Sequence, residues 1–250
     1  MNNTLRQILV VLTILATITV NILANALPLN GLNTGEISDR FQVYFVPAGY
    51  VFSIWGLIYL GLLAYAVFQT LPSQKDNPRL QATGGGVILG GLANIAWIFL
   101  WHYEQFVGTL GAMLLLLATL IAVYVRLGTG LTRVPPAETW AVRVPFSIYL
   151  GWISVATVAN VSDVLDYVRW NRWGWSDEGW MILILAVVVG LAALVNLSRR
   201  DVAYTAVLLW ALAGIGVKFP QQGIVTTAIW FAFGLVALTL PAAYLIRRKS

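Results

Sequence analysis

Uncharged stretches long enough to cross a membrane recur along the whole chain. With Asp, Glu, Lys and Arg taken as breaks there are eight, each close to the ~20 residues that cross a hydrocarbon core as a helix. Because a backbone in lipid must satisfy its own hydrogen bonds, each stretch is predicted to be helical. Trimmed at turn residues, the predicted spans are 6–27, 47–71, 82–101, 106–127, 138–161, 179–198, 202–218 and 223–246.

Prolines mark the limits of the first two spans. Pro28 is predicted to end the first, and Pro47 to open the second, where its missing N–H costs nothing. The shortest uncharged run, 202–217, still predicts a span because Lys218 can snorkel and let the helix continue.

Composition agrees with this pattern and excludes several kinds of site. The chain is 59% hydrophobic and 10% charged, whereas soluble domains carry about 25% charged residues. We therefore predict an all-α, polytopic membrane helix bundle of about eight transmembrane helices, with membrane lipid as a partner. The absence of cysteine excludes disulfides and thiolate chemistry, and a single histidine excludes sites that need two imidazoles.

The net charge of +5 is explained by topology, so no nucleic-acid partner is predicted. Eight spans place both termini on one side. Of the 15 Lys and Arg residues, only Arg40, Arg169, Arg172 and Lys218 fall on the other side. The positive-inside rule then puts both termini in the cytoplasm.

The first span has a second interpretation. Ala24-Asn25-Ala26 resembles a signal-peptidase site, so residues 1–26 could be cleaved. The apolar run before it is longer than a usual signal sequence, which favours a retained helix. Cleavage would leave seven spans with the same orientation.

Tryptophan is the strongest chemical signal, with 11 residues. One group maps to the outer interface, where an aromatic belt at headgroup level is the simplest interpretation for those in loops. Another lies within spans, where each indole N–H needs a partner, and indicates either helix packing or a pocket for a flat apolar ligand. The first group is Trp97, Trp101, Trp170, Trp173, Trp175 and Trp180, and the second is Trp55, Trp152 and Trp210.

Polar and aromatic positions within the spans also indicate either helix packing or a ligand pocket. Trp152 and Asn160 are eight residues apart, so they share a helix face, and an Asn facing lipid would be costly. That face should look into protein or a cavity. Asn94 could bond a neighbouring helix or a ligand. Phe52 and Tyr59 flank Trp55 at helical spacing and form one aromatic stripe.

Other features of the sequence are weaker indications of a functional site. Gly86 and Gly90 allow close helix approach, either in a homodimer or within one chain. His102 could ligate a haem iron, although one residue makes no constellation and an interfacial histidine is the simpler interpretation. No H-E-x-x-H, Walker or G-x-S-x-G motif is present, so we predict no enzyme and no metal site.

Three segments resemble the TspO/MBR family, also called translocator protein or tryptophan-rich sensory protein. Residues 47–65, with I-W-G-L-I-Y at 54–59, resemble the family's second helix. N-I-A-W at 94–97 is similar to its N-W-A-W, and Y-L-G-W-I-S-V-A-T-V-A-N at 149–160 resembles its fifth helix. The three lie in the family's order and spacing.

The chain also departs from the family pattern. Ile95 replaces a Trp, only Pro47 remains of a proline pair, and Pro145 is displaced from its place beside Tyr. Three further helices follow residue 178. We therefore predict a TspO/MBR-like five-helix membrane domain at 1–170 and an additional three-helix segment at 171–250.

The resemblance implies a ligand pocket beneath the first long loop, without a required cofactor. Its expected occupant is a porphyrin or haem-like tetrapyrrole, in a receptor-like sensory, regulatory or transport role. It also implies an integral protein of a bacterial cytoplasmic membrane. A carrier for a small uncharged or lipid-like substrate and a porphyrin-modifying enzyme are the alternatives. Residue by residue, the resemblance gives as ligand-binding positions Trp55, Tyr59, Asn94, Trp97, Trp152, Ala156 and Asn160.

Overall fold

The structure is a computed structural model that describes residues 2–27 and 29–247. The predicted end of the first span at Pro28, and two of the counted charges, Arg248 and Lys249, lie outside these residues. The described residues form eight long helices: α1 (Asn3–Ala26), α2 (Ile54–Thr70), α3 (Pro78–His102), α4 (Phe106–Arg126), α5 (Val144–Tyr167), α6 (Asp177–Arg199), α7 (Val202–Lys218) and α8 (Ile224–Arg247).

Each predicted span corresponds to one of these helices, which confirms the all-α polytopic bundle. Among the described residues, seven helices are long and apolar enough to cross a membrane, and α7 is a shorter apolar helix of 17 residues. The chain is therefore an integral membrane protein. Successive helices run antiparallel, so both termini lie at one end of the bundle. We call the opposite end, which carries the loop between α1 and α2, the loop end.

Helix α5 is the centre of the bundle. In its most apolar stretch 67% of the residues are buried, against 22–44% in the other six long spans, because α2, α4 and α7 all pack on it. Helix α3 packs between α1 and α4. The three C-terminal helices pack on one another and meet the first five chiefly where α7 lies along α5.

The glycines of α3 bring its neighbours close within the same chain. A Cβ on Gly84 would clash with Arg6 of α1, and one on Gly90 would clash with Thr119 of α4. Gly86 likewise faces α4. These contacts use the glycine stripe for packing inside one chain, and a homodimer stays a prediction.

The start of α2 differs from the prediction. Helical backbone begins not at Pro47 but with a 3₁₀ turn, Gly49–Ser53, that leads into α2. The reason is α7, because Ala48 N–H donates to the Gly214 carbonyl at 3.2 Å. A Cβ on Gly214 would lie 2.1 Å from the Val51 side chain, so only glycine permits this approach.

The helical region that contains α5 is longer than the predicted span at both ends, although α5 itself begins at Val144. It is preceded by a helical turn, Pro136–Glu138, and a π-helical stretch, Thr139–Arg143. At the loop end it continues past residue 161 to Tyr167. Asp163, which the charge pattern placed in a loop, therefore lies inside the helix and is buried.

The loop between α1 and α2 folds over the bundle. It contains a short helix, Thr34–Ser38, begun by a capping box between Asn33 and Glu36. Two ion pairs hold its far end, from Asp39 to Lys218 of α7 at 2.5 Å and from Arg40 to Glu104 at 2.6 Å. The hydrogen bond from Arg40 lowers the pKa of Glu104.

Candidate functional site

Aromatic rings from α5, from α2 and from the 3₁₀ turn before α2 form one cluster at the loop end. Trp55 stacks on Tyr59 with ring centroids 5.6 Å apart, and it meets Trp152 edge-on at 6.3 Å. Phe52 packs edge-on against Trp152 at 5.8 Å. Trp152 is buried, whereas Phe52, Trp55 and Tyr59 are only partly buried and present ring surface to a cavity.

The cavity lies between α1, α2, α3 and the short loop helix and has a volume of about 710 Å³. Binding pockets for small molecules typically measure about 300–1,000 Å³. Its deep side is aromatic, with Phe52, Trp55, Tyr59 and Trp97, and its loop side is polar and acidic. The residues on the loop side are Asn33, Thr34, Gly35, Glu36 and Asp39.

A second, smaller cavity of about 50 Å³ lies directly beneath the short helix. It shares Thr34, Phe52 and Trp97 with the large cavity, so the two are adjacent. Helix α5 contributes more of its wall than any other element, including four residues on one face of that helix: Trp152, Ala156, Asn160 and Asp163.

Hydrogen bonds fix the wall between the helices. The Trp97 indole N–H donates to Asn160 Oδ1 at 3.4 Å, and Asn160 Nδ2 donates to Thr109 Oγ1 at 2.9 Å. Trp101 stacks on Trp97 with centroids 5.1 Å apart and donates its N–H to the Thr34 carbonyl at 3.2 Å. Helices α3, α4 and α5 and the short loop helix are thereby joined at one point.

The structure brings together six of the seven residues that the resemblance gave. Trp55 and Tyr59 line the large cavity, Trp152, Ala156 and Asn160 line the small one, and Trp97 lines both. Asn94 lines neither.

Asn94 belongs instead to a buried chain of hydrogen bonds between helices. It accepts from Asn21 Nδ2 at 2.7 Å and donates to the Tyr149 hydroxyl at 3.0 Å. Asn94 is 1% exposed, and its side-chain amide is hydrogen-bonded to one residue on α1 and to one on α5. This arrangement agrees with the interhelical interpretation of Asn94.

Sequence reasoning missed the contributions of α1, the short helix and Asp163. Asn21 and Asn25 of α1 and Thr34 of the short helix line the large cavity. No local pattern marks them, because their role depends on which helices meet. Asp163 carried one usable signal, its i, i+3 spacing from Asn160, which places both on one helix face.

Trp173, Trp210 and His102 line neither cavity. Trp173 is 74% exposed, whereas Trp97 and Trp101, which form part of the wall, are buried rather than at a lipid interface. Trp210 donates its N–H to the Val51 carbonyl at 3.1 Å. His102 is buried, with Nδ1 2.9 Å from the Ile98 carbonyl.

Comparison with known families places these features in a wider group. A family model described as TSPO-like protein matches residues 7–241. The chain belongs to the TSPO-like family. The match confirms the resemblance found in the sequence, and it runs through α6 and α7 into α8. The division of this TSPO-like chain at residue 170 stays a prediction.

Comparisons with curated proteins and with solved structures gave no match to the chain.

Proposed function

We propose that this TSPO-like protein binds a flat hydrophobic ligand, with a tetrapyrrole as the favoured class, in the aromatic cavity at the loop end. The observation that carries the proposal is the cavity of about 710 Å³ with Phe52, Trp55, Tyr59 and Trp97 on its deep side. Stacking on such rings and removal of apolar surface from water would drive binding. Its role would be sensory, regulatory or transport-related, with no chemical change in the ligand.

A second candidate function is a carrier for a small uncharged or lipid-like substrate. Ile22 of α1 lines the large cavity and is 50% exposed. This open apolar side chain at the α1 side of the cavity supports lateral access from the bilayer. Ligand accumulation inside protein-containing vesicles would distinguish a carrier from a sensor, which would bind without accumulation.

We also propose a bacterial cytoplasmic membrane as the location, with both termini inside and the loop end outside. The chain has no cysteine, so single cysteines report each side without background. Ser73→Cys between α2 and α3 should react with a membrane-impermeant maleimide only after lysis of cells. Arg169→Cys at the loop end should react in intact cells, and the reverse pattern would overturn this orientation.

Tryptophan quenching by a porphyrin tests the binding function. The purified protein would be titrated in detergent with protoporphyrin IX and, separately, with its dimethyl ester. Saturable quenching by at least one of them is expected, together with a shift of the porphyrin absorbance band. Trp152→Ala should weaken binding about tenfold, because the Trp152 ring lines the small cavity and packs edge-on against Phe52 and Trp55, which line the large one.

Trp173→Ala is the matched control, since Trp173 is exposed and contacts neither cavity. Size-exclusion chromatography and far-UV circular dichroism would establish that both variants fold. The proposal is wrong if neither porphyrin gives saturable quenching, or if both variants bind as the unmodified protein does.

A further inference from the structure

The small cavity beneath the short loop helix has the dimensions of a polar subsite. At about 50 Å³ it has space for one or two non-hydrogen atoms, since a water molecule occupies about 30 Å³ in the liquid. It adjoins the large aromatic cavity through Thr34, Phe52 and Trp97. A ligand whose ring system lies in the large cavity could therefore extend one short substituent into the small one.

Three residues that line this cavity carry buried polar atoms without a partner. They are Thr34 Oγ1, Trp152 Nε1 and Asp163 Oδ1, and they account for three of nine such atoms in the part of the chain that the structure describes. Thr34, Trp152 and Asp163 are 7%, 3% and 3% exposed. Because buried polar groups are almost always hydrogen-bonded, three unpaired atoms around one void indicate a missing polar occupant.

The chemistry of these atoms defines the occupant. An indole N–H can only donate, a carboxylate oxygen accepts, and a threonine hydroxyl does either. One group that satisfies them must both donate and accept, as an alcohol does. An ester or ether oxygen would leave Asp163 unmatched.

Charge excludes an anionic occupant. Asp163 is in no ion pair within the described residues, and Asp166 lies three residues further along α5. Glu36 and Asp39 line the neighbouring cavity. The nearby cations are already engaged, Lys218 with Asp39 at 2.5 Å and Arg172 with Asp166 and Asp177. A carboxylate in this region would face acidic groups, and the one loop-end cation outside these ion pairs among the described residues, Arg169, is exposed.

We infer that the small cavity is a polar subsite for a neutral alcohol group on the ligand, which donates to Asp163 and accepts from Trp152. The inference rests on the proposed function, because the ring system must occupy the large cavity for its substituent to reach the small one. It narrows the ligand class to flat apolar molecules that end in hydroxyl groups rather than carboxylates.

Three porphyrins with the same macrocycle test the inference. They are protoporphyrin IX, its dimethyl ester, and the diol in which both propionic acids are reduced to propanols. In quenching titrations the diol should bind roughly three- to tenfold more tightly than the diester, the range expected for one hydrogen bond. The diacid should bind most weakly.

Variants test whether this order of affinities depends on the subsite. Asp163→Leu should abolish the difference between diol and diester, and Trp152→Phe should weaken the diol while it keeps an aromatic ring in place. Asp163→Asn removes the negative charge with little change in volume, so binding of the diacid should improve several-fold. Asp76→Asn, an exposed aspartate at the end of the bundle that carries the termini, is the control and should leave all three affinities unchanged.

The possible outcomes separate the two proposals. Binding of the three porphyrins with equal affinity, or a diol preference that survives in Asp163→Leu, would overturn this inference alone and would mean that the cavity holds only water. Absence of saturable binding by any of the three would overturn the proposed function, and the inference with it. If Asp163→Leu does not fold, Asp163→Asn and Trp152→Phe still decide the result.

Discussion

Two buried aspartates lie at opposite ends of α5 and differ in the hydrogen bonds that the fold gives them. Asp201 is 7% exposed and Asp163 is 3% exposed. Asp201 accepts from the Tyr124 hydroxyl at 2.8 Å, the Ser147 hydroxyl at 2.5 Å and the Tyr204 backbone N–H at 3.0 Å. Asp163 has Oδ1 buried without a partner.

The difference shows how a carboxylate in a membrane bundle can serve two purposes. Asp201 caps the start of α7 and connects it to α4 and α5, so its burial is offset by three donors. Asp163 has no comparable set of hydrogen-bond donors within the described residues. A buried carboxyl group that has no partner in the fold is a candidate for contact with a ligand. Asp163 lines a cavity, whereas Asp201 lies where α4, α5 and α7 meet.

The largest expected effect comes from removal of the satisfied carboxylate. Asp201→Ala leaves two buried hydroxyls and the first turn of α7 without their acceptor, so the free energy of unfolding should fall by about 3 kcal/mol. Denaturation with sodium dodecyl sulfate, followed by circular dichroism, would measure it. Asp76→Ala, at an exposed site, is the control. An equal loss in Asp163→Ala would contradict the distinction between the two aspartates.

Helix α7 connects the two regions, because Asp201 begins it and Gly214, near its other end, contacts Val51 before α2. A methyl group at Gly214 would overpack this contact, so Gly214→Ala should cost about 2 kcal/mol and should also weaken porphyrin binding by displacing Phe52 and Trp55. Unfolding and quenching titrations on the same sample would measure both effects.

Two further variants sharpen this prediction. Gly190→Ala on α6 adds the same methyl group where nothing lies within 4 Å, so it should leave binding unchanged. Val51→Ala combined with Gly214→Ala restores space and should recover part of both losses, which a double-mutant cycle would quantify. A loss of stability without any change in binding would mean that α7 does not position the cavity.

The residues of the two regions also show what the sequence could and could not predict. Trp55, Trp152 and Asn160 were found because aromatic and amide groups inside apolar spans, at helical spacing, have few interpretations. Asp163 was missed because a charge was taken to end a span, whereas the helix continues wherever neighbouring elements cover it. Asn21 and Gly214 depend on pairings between distant helices, which no local pattern encodes.

A smaller effect is expected at Asp163 itself. In Asp163→Asn a neutral amide replaces a buried carboxyl group whose Oδ1 has no partner, so the free energy of unfolding should be unchanged or should rise by up to about 1 kcal/mol at pH 7. Asp201→Asn, the same substitution at the satisfied site, should instead lower it. The unfolding titration used for Asp201→Ala would compare them, and a destabilised Asp163→Asn would indicate that the carboxylate has a structural partner.

The smallest expected effect is the pH dependence of the exposed ion pair between Arg40 and Glu104. Arg40 holds the pKa of Glu104 below its usual range, chiefly through its hydrogen bond. A carboxyl whose pKa is lower in the folded state contributes stability above the unfolded pKa and loses it as the pH falls through the folded pKa. Because both side chains are more than 40% exposed, this contribution should stay below about 1 kcal/mol.

The test compares the free energy of unfolding at pH 7 and pH 3. Arg40→Gln should remove this part of the pH dependence and leave porphyrin binding unchanged, and Arg133→Gln, an exposed arginine between α4 and α5, should alter neither. The stability that acid still removes from Arg40→Gln then belongs to other carboxyl groups. An unchanged pH dependence in Arg40→Gln would mean that this ion pair does not contribute to the free energy of unfolding.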